Sequence, residues 1–192
     1  MNDLHFVRHA TTEMAGTFCG HSDPPVSAAG HQQIAELVER LGEDRYDAIY
    51  TSDLRRAQTT AAALARFFSI PCIARPALRE IYFGLWEGLT WSEIETHDPA
   101  YATRWMEAYP KIAAPCGETF SDFKKRVSAE TDWLLNQKEH QRILVVSHAG
   151  VMRSILQSRC MCDEQEAWAL TREYCCSFRY SHATENASEV GR

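Results

Sequence analysis

The chain has 192 residues, 45% of them apolar and 24% charged, with a formal net charge of −6. That length suits one domain able to bury a core without disulfide or metal staples. The negative balance leaves no nucleic-acid footprint at the level of the whole molecule, although a local positive cleft is compatible with it. The first residues reach Arg8 without a long apolar run, so neither a signal peptide nor a spanning helix is expected, and a cytoplasmic protein without membrane or nucleic-acid partners is. Seven cysteines, odd in number and without paired C-x-x-C spacing, support neither a disulfide framework nor a zinc site.

Residues 4–11 read as a short strand that stops on the basic pair Arg8 and His9. A Gly-, Ser-, Asp- and Pro-rich loop over 12–26 follows, and Ser27 then caps a helix to Leu41, with Ile34, Leu37, Val38 and Leu41 at helical spacing and Gly42 as the stop. Residues 48–51 predict a second strand, and Ser52 and Asp53 predict the cap of a helix over 54–68. A short strand over 72–75 leads into an irregular, turn-prone segment at 78–89. Two short helices broken at Asp98-Pro99 are expected over 90–108, a loop over 110–117 and a long amphipathic helix over 118–137. Strand 143–146, a helix over 150–159 and an edge strand over 174–180 complete the core, and residues from His182 onward read as a frayed tail. This alternation argues for right-handed crossovers in a largely parallel sheet, within one domain over residues 1–182 and a tail over 183–192.

In an open α/β sheet the carboxyl ends of the strands line one crevice, where ligands bind. Three strands here end near Arg8 and His9, near Arg56, and on Ser147 and His148. They predict a concentrated cationic pocket, and phosphate is the anion it suits. A neutral imidazole is a competent nucleophile for phosphorus. Arg8, Arg56 and His148 could then clamp the equatorial oxygens of a phosphoryl group in flight. A phosphatase also needs a carboxylic acid for the leaving alkoxide. Glu80, Glu87 and Glu118 all qualify, and periodicity does not separate them. Glu80 is taken as acid with substrate bound and as base afterwards, since a bound phosphate dianion favours its protonated form.

These residues fall into a pattern that resembles the histidine phosphatase superfamily, from Leu4 to about Tyr180. Arg8-His9-Ala10 is similar to its R-H-G opening, and Ser52 through Ala61 to its S-x-L-x-R-A-x-x-T-A helix. Leu78 through Gly88 matches the L-x-E segment that ends G-x-W-E-G, Gly117-Glu118-Thr119 the G-E-[ST] turn, and Val146-Ser147-His148-Ala149-Gly150-Val151 the second histidine motif. The resemblance implies a three-layer α/β/α sandwich of phosphoglycerate mutase type, with a mostly parallel sheet and an antiparallel edge strand. It implies His9 as the phosphorylated nucleophile, Arg8, Arg56 and His148 as phosphoryl ligands and Glu80 as proton donor. No cofactor or metal is implied, and the partner is a small-molecule phosphate monoester.

Glycine is usual in the family where Ala10 and Ala149 stand, and asparagine where Ala15 stands, so one phosphate contact is either missing or supplied by Thr11, Thr12 or a loop amide. The loop at 16–23 is similar to that of α-ribazole phosphatases, which remove the 5′-phosphate of α-ribazole phosphate in cobalamin assembly. Thr11, Gly20, His21 and Ala149 are candidate substrate contacts, with His21 otherwise a polar loop residue, and Trp86, Trp91 and Trp105 could line a pocket around an aromatic substrate, although such residues more often belong to the core. General, sugar-phosphate or phosphoglycerate phosphatase activity is the alternative. A mutase is disfavoured by the short stretch at 90–116, and a non-catalytic binder by the presence of an acid. The His5-x-x-x-His9 spacing suits a metal only on a helix, and this segment reads as a strand. Monomer and homodimer both fit the sequence.

Overall fold

The computed structural model describes residues 2–181. The centre of the sheet is set by two strands that are apolar on both faces: β1 (Asp3–Arg8) and β4 (Arg142–Ser147), where Ile143 to Val146 are fully buried. Such runs belong to parallel strands covered on both sides. Strand period then sends alternate side chains to opposite layers. Leu4, Phe6, Ile143 and Val145 pack on one face, against Phe123, Val127 and Leu134 of α5 (Phe120–Asn136) and Met152 and Ile155 of α6 (Ala149–Arg159). Val7, Leu144 and Val146 pack on the other, against Ile34 and Leu37 of α1 (Ala28–Leu41) and Ala57, Ala61 and Leu64 of α2 (Arg55–Phe68).

With β2 (Ala48–Thr51), β3 (Cys72–Ala74) and β5 (Ser177–Tyr180), the strand order is β3-β2-β4-β1-β5, all parallel except the β1–β5 pair. This is the three-layer architecture with an antiparallel edge strand that the sequence predicts. β5 is shorter than expected and begins at Ser177. The segment 76–89 carries two 3-10 turns, Pro76–Leu78 and Gly84–Trp86. α3 (Trp91–His97) and α4 (Pro99–Ala108) follow, broken at Asp98-Pro99 as expected, and a third apolar cluster forms around Trp86, Ile94, Ala102 and Ala114.

Two expectations change. Ser52 and Asp53 do not cap α2: its N-cap is Leu54, without a side-chain bond. Ser52 Oγ accepts from the Leu54 N–H one step earlier, and Asp53 forms a two-pronged ion pair with Arg79. The free Arg55 N–H is met instead by Asp23 from the 12–26 loop, at 2.7 Å. Between Arg159 and β5 lies a helix the sequence reading did not contain, α7 (Glu164–Thr171), opened by a capping box between Asp163 and Glu166. The tail expected over 183–192 lies outside the described residues. No helix among the described residues is long and apolar enough to cross a membrane.

Candidate active site

The carboxyl ends of β1, β4 and β2 are neighbours in the sheet, so Arg8, His148 and the start of α2 arrive at one edge. The chain turns sharply after each strand and is tied there by backbone bonds. The His9 N–H donates to Ser147 O, and the Ser52 N–H to Val146 O, both at 3.0 Å. The Ala10 N–H donates to Thr60 Oγ1 on α2 at 3.1 Å, and Ala10 is fully buried. Its φ is not in the left-handed region, so alanine costs nothing there.

His9 is oriented by two bonds. Nδ1 faces the Ala10 carbonyl at 2.7 Å, which only an N–H can satisfy, and Arg56 Nε donates to Nε2 at 3.2 Å. Both place the proton on Nδ1 and leave a lone pair on Nε2. Burial, then the charge of Arg56, pulls the His9 pKa well below that of an ordinary histidine. His148, at the N-cap of α6 and 1% exposed, stands with its ring 5.0 Å from that of His9. Burial, then Arg56, depresses it in the same way, and neither ring nitrogen has a partner among the described residues.

Arg56 is 1% exposed. Besides His9 it donates to the carbonyls of Ser22 (2.6 Å), Gly20 (2.7 Å) and Cys19 (3.1 Å), clamping the 12–26 loop over the site. Arg8 Nη1 donates to the last carbonyls of α7, Thr171 and Arg172, while Tyr174 stacks 3.9 Å from its guanidinium carbon and Nε is left without a partner. The helix missed in the sequence is therefore the one that anchors Arg8.

The three glutamates separate by geometry. Glu87 accepts from the amides of His21, Ser22 and Phe83 and from the Ser22 hydroxyl, all within 3.0 Å. Burial raises its pKa, but the Ser22 hydroxyl and these amides outweigh burial and hold it below the usual glutamate value. Glu118 pairs with Arg126 through both oxygens. Glu80 has no such cation: Oε1 accepts from the Ile81 N–H (2.9 Å) and Oε2 from the Gly150 N–H (2.8 Å) in the first turn of α6.

A cavity of about 1090 Å³ opens on this edge, with Arg8, His9, Arg56, Glu80 and Ala149 on its wall. Thr12 lines it where Thr11 does not; the Thr11 N–H is held by Gln33 and its carbonyl by Ser27. Gly20 and His21 also stand off the wall. The Gly20 carbonyl binds Arg56, and a Cβ there would come within 2.2 Å of Ile81 O; His21 Nε2 meets the Glu80 carbonyl at 3.1 Å. Trp91 and Trp105 line the cavity with Phe18 and Tyr109, whereas Trp86 is buried behind them. Trp168 on α7, Tyr174 in the turn after it and Arg153 on α6 also line it; the sequence alone assigns none of the three a role.

The family model of the histidine phosphatase superfamily (branch 1) matches residues 4–190. The chain belongs to this superfamily. It is 31% identical over 180 residues to the adenosylcobalamin/α-ribazole phosphatase of Salmonella typhimurium, covering 90% of this chain and 87% of that protein. It is 29% identical over 171 residues to phosphoserine phosphatase 1 of Hydrogenobacter thermophilus, covering 88% and 81%. The crystal structure of the α-ribazole phosphatase from Shigella flexneri superposes with a TM-score of 0.83 at 28% identity, covering 96% of this chain and 93% of that one. The fold of this chain is that of the phosphoglycerate mutase-like histidine phosphatases.

Proposed function

We propose that this histidine phosphatase hydrolyses a phosphate monoester through a phosphohistidine on His9. The observation that carries the reading is that His9, with Nε2 free of a proton, shares one cavity wall with Arg8, Arg56 and Glu80. In the first step His9 Nε2 attacks phosphorus, the ester P–O bond breaks, and Glu80 in its acid form gives its proton to the departing alkoxide. In the second, the Glu80 carboxylate takes a proton from water as the water oxygen attacks phosphorus. The P–N bond breaks, phosphate leaves and both residues return to their starting forms. The Arg56 Nε–H, which holds Nε2 beforehand, is positioned to pass to a phosphoryl oxygen once that lone pair is used. The unpartnered Arg8 Nε and the neutral imidazole of His148 have donor capacity for the other oxygens. The chemistry needs no metal or cofactor, since these groups supply both the nucleophile and the charge.

The substrate this reading favours is α-ribazole 5′-phosphate, placing the protein at the nucleotide-loop stage of cobalamin assembly in the cytoplasm. The aromatic wall of Phe18, Trp91, Trp105 and Tyr109 suits a planar leaving group. A cavity of about 1090 Å³ is generous for phosphoserine, the substrate named for another relative. Phosphate release should be measured across α-ribazole 5′-phosphate, phosphoserine, phosphoglycerates, sugar phosphates and nucleotides, with His9→Ala as control. A clear preference for the ribazole ester over the sugar phosphates and mononucleotides is expected. A flat profile would remove the cobalamin assignment and leave the phosphatase one, and His9→Ala retaining activity would remove both.

A further inference from the structure

The cavity contains a cation that the phosphoryl clamp does not use. Arg153 lies on α6, three residues beyond the Gly150 amide that holds Glu80, and lines the same cavity. Its guanidinium carbon stands 4.4 Å from the centre of the Trp168 ring on α7. Among the described residues it makes no ion pair or hydrogen bond, and its Nε is buried without a partner.

The neighbouring arginines differ in this respect. Arg56 is spent on loop carbonyls and Arg8 is anchored on the end of α7. Arg79 is paired with Asp53 and Arg126 with Glu118. Burial lowers the Arg153 pKa, opposed chiefly by the charge of Glu80, yet Glu80 forms no ion pair with it and keeps both oxygens on backbone amides. A guanidinium stays charged at any working pH. The Nε–H is withdrawn from water and left unpaired, which is costly, and the face of Trp168 offsets only part of that cost, while the half-buried guanidinium stays on the cavity wall. A partner for it can come from the cavity, whose wall Arg153 shares with Arg8, His9 and Glu80.

We propose that Arg153, backed by Trp168, receives a second anionic group, a carboxylate or phosphate carried on the leaving group, so that the cavity selects phosphate monoesters with two separated anions. The inference rests on the phosphomonoesterase reading and not on the benzimidazole ring. α-Ribazole 5′-phosphate itself has no second anion, so within that reading the better substrates are derivatives that carry one.

Two matched pairs test it: adenosine 5′-phosphate against adenosine 3′,5′-bisphosphate, and glycerol 3-phosphate against 3-phosphoglycerate, with p-nitrophenyl phosphate as the reference lacking a second anion. For the wild type, kcat/KM is expected to favour the doubly anionic member of at least one pair by roughly ten- to hundredfold, the yield of one or two charge-assisted bonds, and to do so through KM. The pair that responds says whether phosphate or carboxylate is the group received. Arg153→Met is expected to erase the preference and leave p-nitrophenyl phosphate turnover, which also reports folding, nearly unchanged; Arg153→Lys is expected to keep part of it. No preference in either pair would overturn the proposal. So would an Arg153→Met enzyme that loses all substrates equally, which would place the arginine in the phosphoryl clamp instead. Calorimetric binding of the two adenosine nucleotides to His9→Ala, with and without Arg153→Met, reads the same preference without turnover. Absent turnover in the wild type would sink the phosphatase reading while this arm still decides the subsite.

Discussion

Glu80 and Gly150 meet at 2.8 Å, carboxylate oxygen to backbone N–H, and a Cβ on residue 150 would lie 2.2 Å from the other Glu80 oxygen. Glycine at 150 is thus set by the approach of the carboxylate and not by a left-handed backbone. Gly150→Ala is expected to displace Glu80. Because a positioned general acid contributes about 10²–10⁴-fold, kcat on alkyl phosphates should fall toward that of Glu80→Gln. Turnover of p-nitrophenyl phosphate, whose leaving group needs no proton, should fall much less. Equal losses on both substrates would mean that the start of α6 has moved as a whole.

The same pair marks where the sequence stops being legible. The strands and α1, α2, α5 and α6 follow from apolar runs and 3.6-residue spacing, because each buries a continuous face. Glu80, Glu87 and Glu118 could not be ranked that way. They lie in or beside turns, and what separates them is who stands opposite: the Ile81 and Gly150 amides, the 21–22 loop, or Arg126. α7 was illegible for a different reason. Its inward face is only Ala167, Leu170 and Thr171, while Trp168 is exposed at 51%, so the apolar pattern is too weak to read, and only its Asp163–Glu166 capping box could have announced it. The α2 cap failed because its true partner, Asp23, is distant in the chain.

Glu87 is expected to be a residue of stability and not of chemistry. Glu87→Ala leaves the His21, Ser22 and Phe83 amides without their acceptor, which should cost roughly 1.5–3 kcal/mol, read as a lower Tm. Its folded pKa is depressed, so its contribution is full above the ordinary glutamate value of 4.5 and shrinks as pH falls below it. The gap between variant and wild type should narrow in acid. A gap independent of pH would show that the charge plays no part.

Three buried histidines set the acid limit of the fold. His5, bonded to Tyr46 Oη at 2.6 Å, is lowered to about 3, first by burial and then by Arg179; His9 and His148 are lowered well below 6.5. Each binds a proton more readily when unfolded, so stability is fully present above pH 6.5 and declines as pH falls below it. Each contributes a slope of about 1.4 kcal/mol per pH unit in that window. Urea midpoints measured from pH 7.5 to 5 are expected to fall steadily, and His5→Phe should reduce the slope. A midpoint flat across this range would contradict the neutral, buried assignment.

Phosphate release is expected to survive prolonged treatment with a strong chelator, since in the proposed mechanism the positive charge facing the transferred group comes from Arg8 and Arg56, with His9 and His148 neutral. Among the described residues, no group of three or more His, Cys, Asp or Glu side chains is arranged to hold a metal. Loss of activity restored by one divalent cation would require a different mechanism.

The aromatic wall should separate leaving groups by size. Phe18 packs against Trp91 (6.2 Å between ring centres) and Trp105 (6.1 Å), and all three line the cavity, so a planar ring can lie against them without displacing the core around Trp86. Trp105→Ala removes one face of that wall. Aromatic contact of this kind contributes about 0.5–1.5 kcal/mol beyond area burial, so KM for an aryl nucleotide ester should rise roughly three- to tenfold with kcat little changed. KM for a small ester such as phosphoserine should stay where it was, because its leaving group has no ring to lie against the tryptophans. If both values of KM rise together, the tryptophan supports the loop over the phosphoryl pocket, and the planar-leaving-group reading loses its footing.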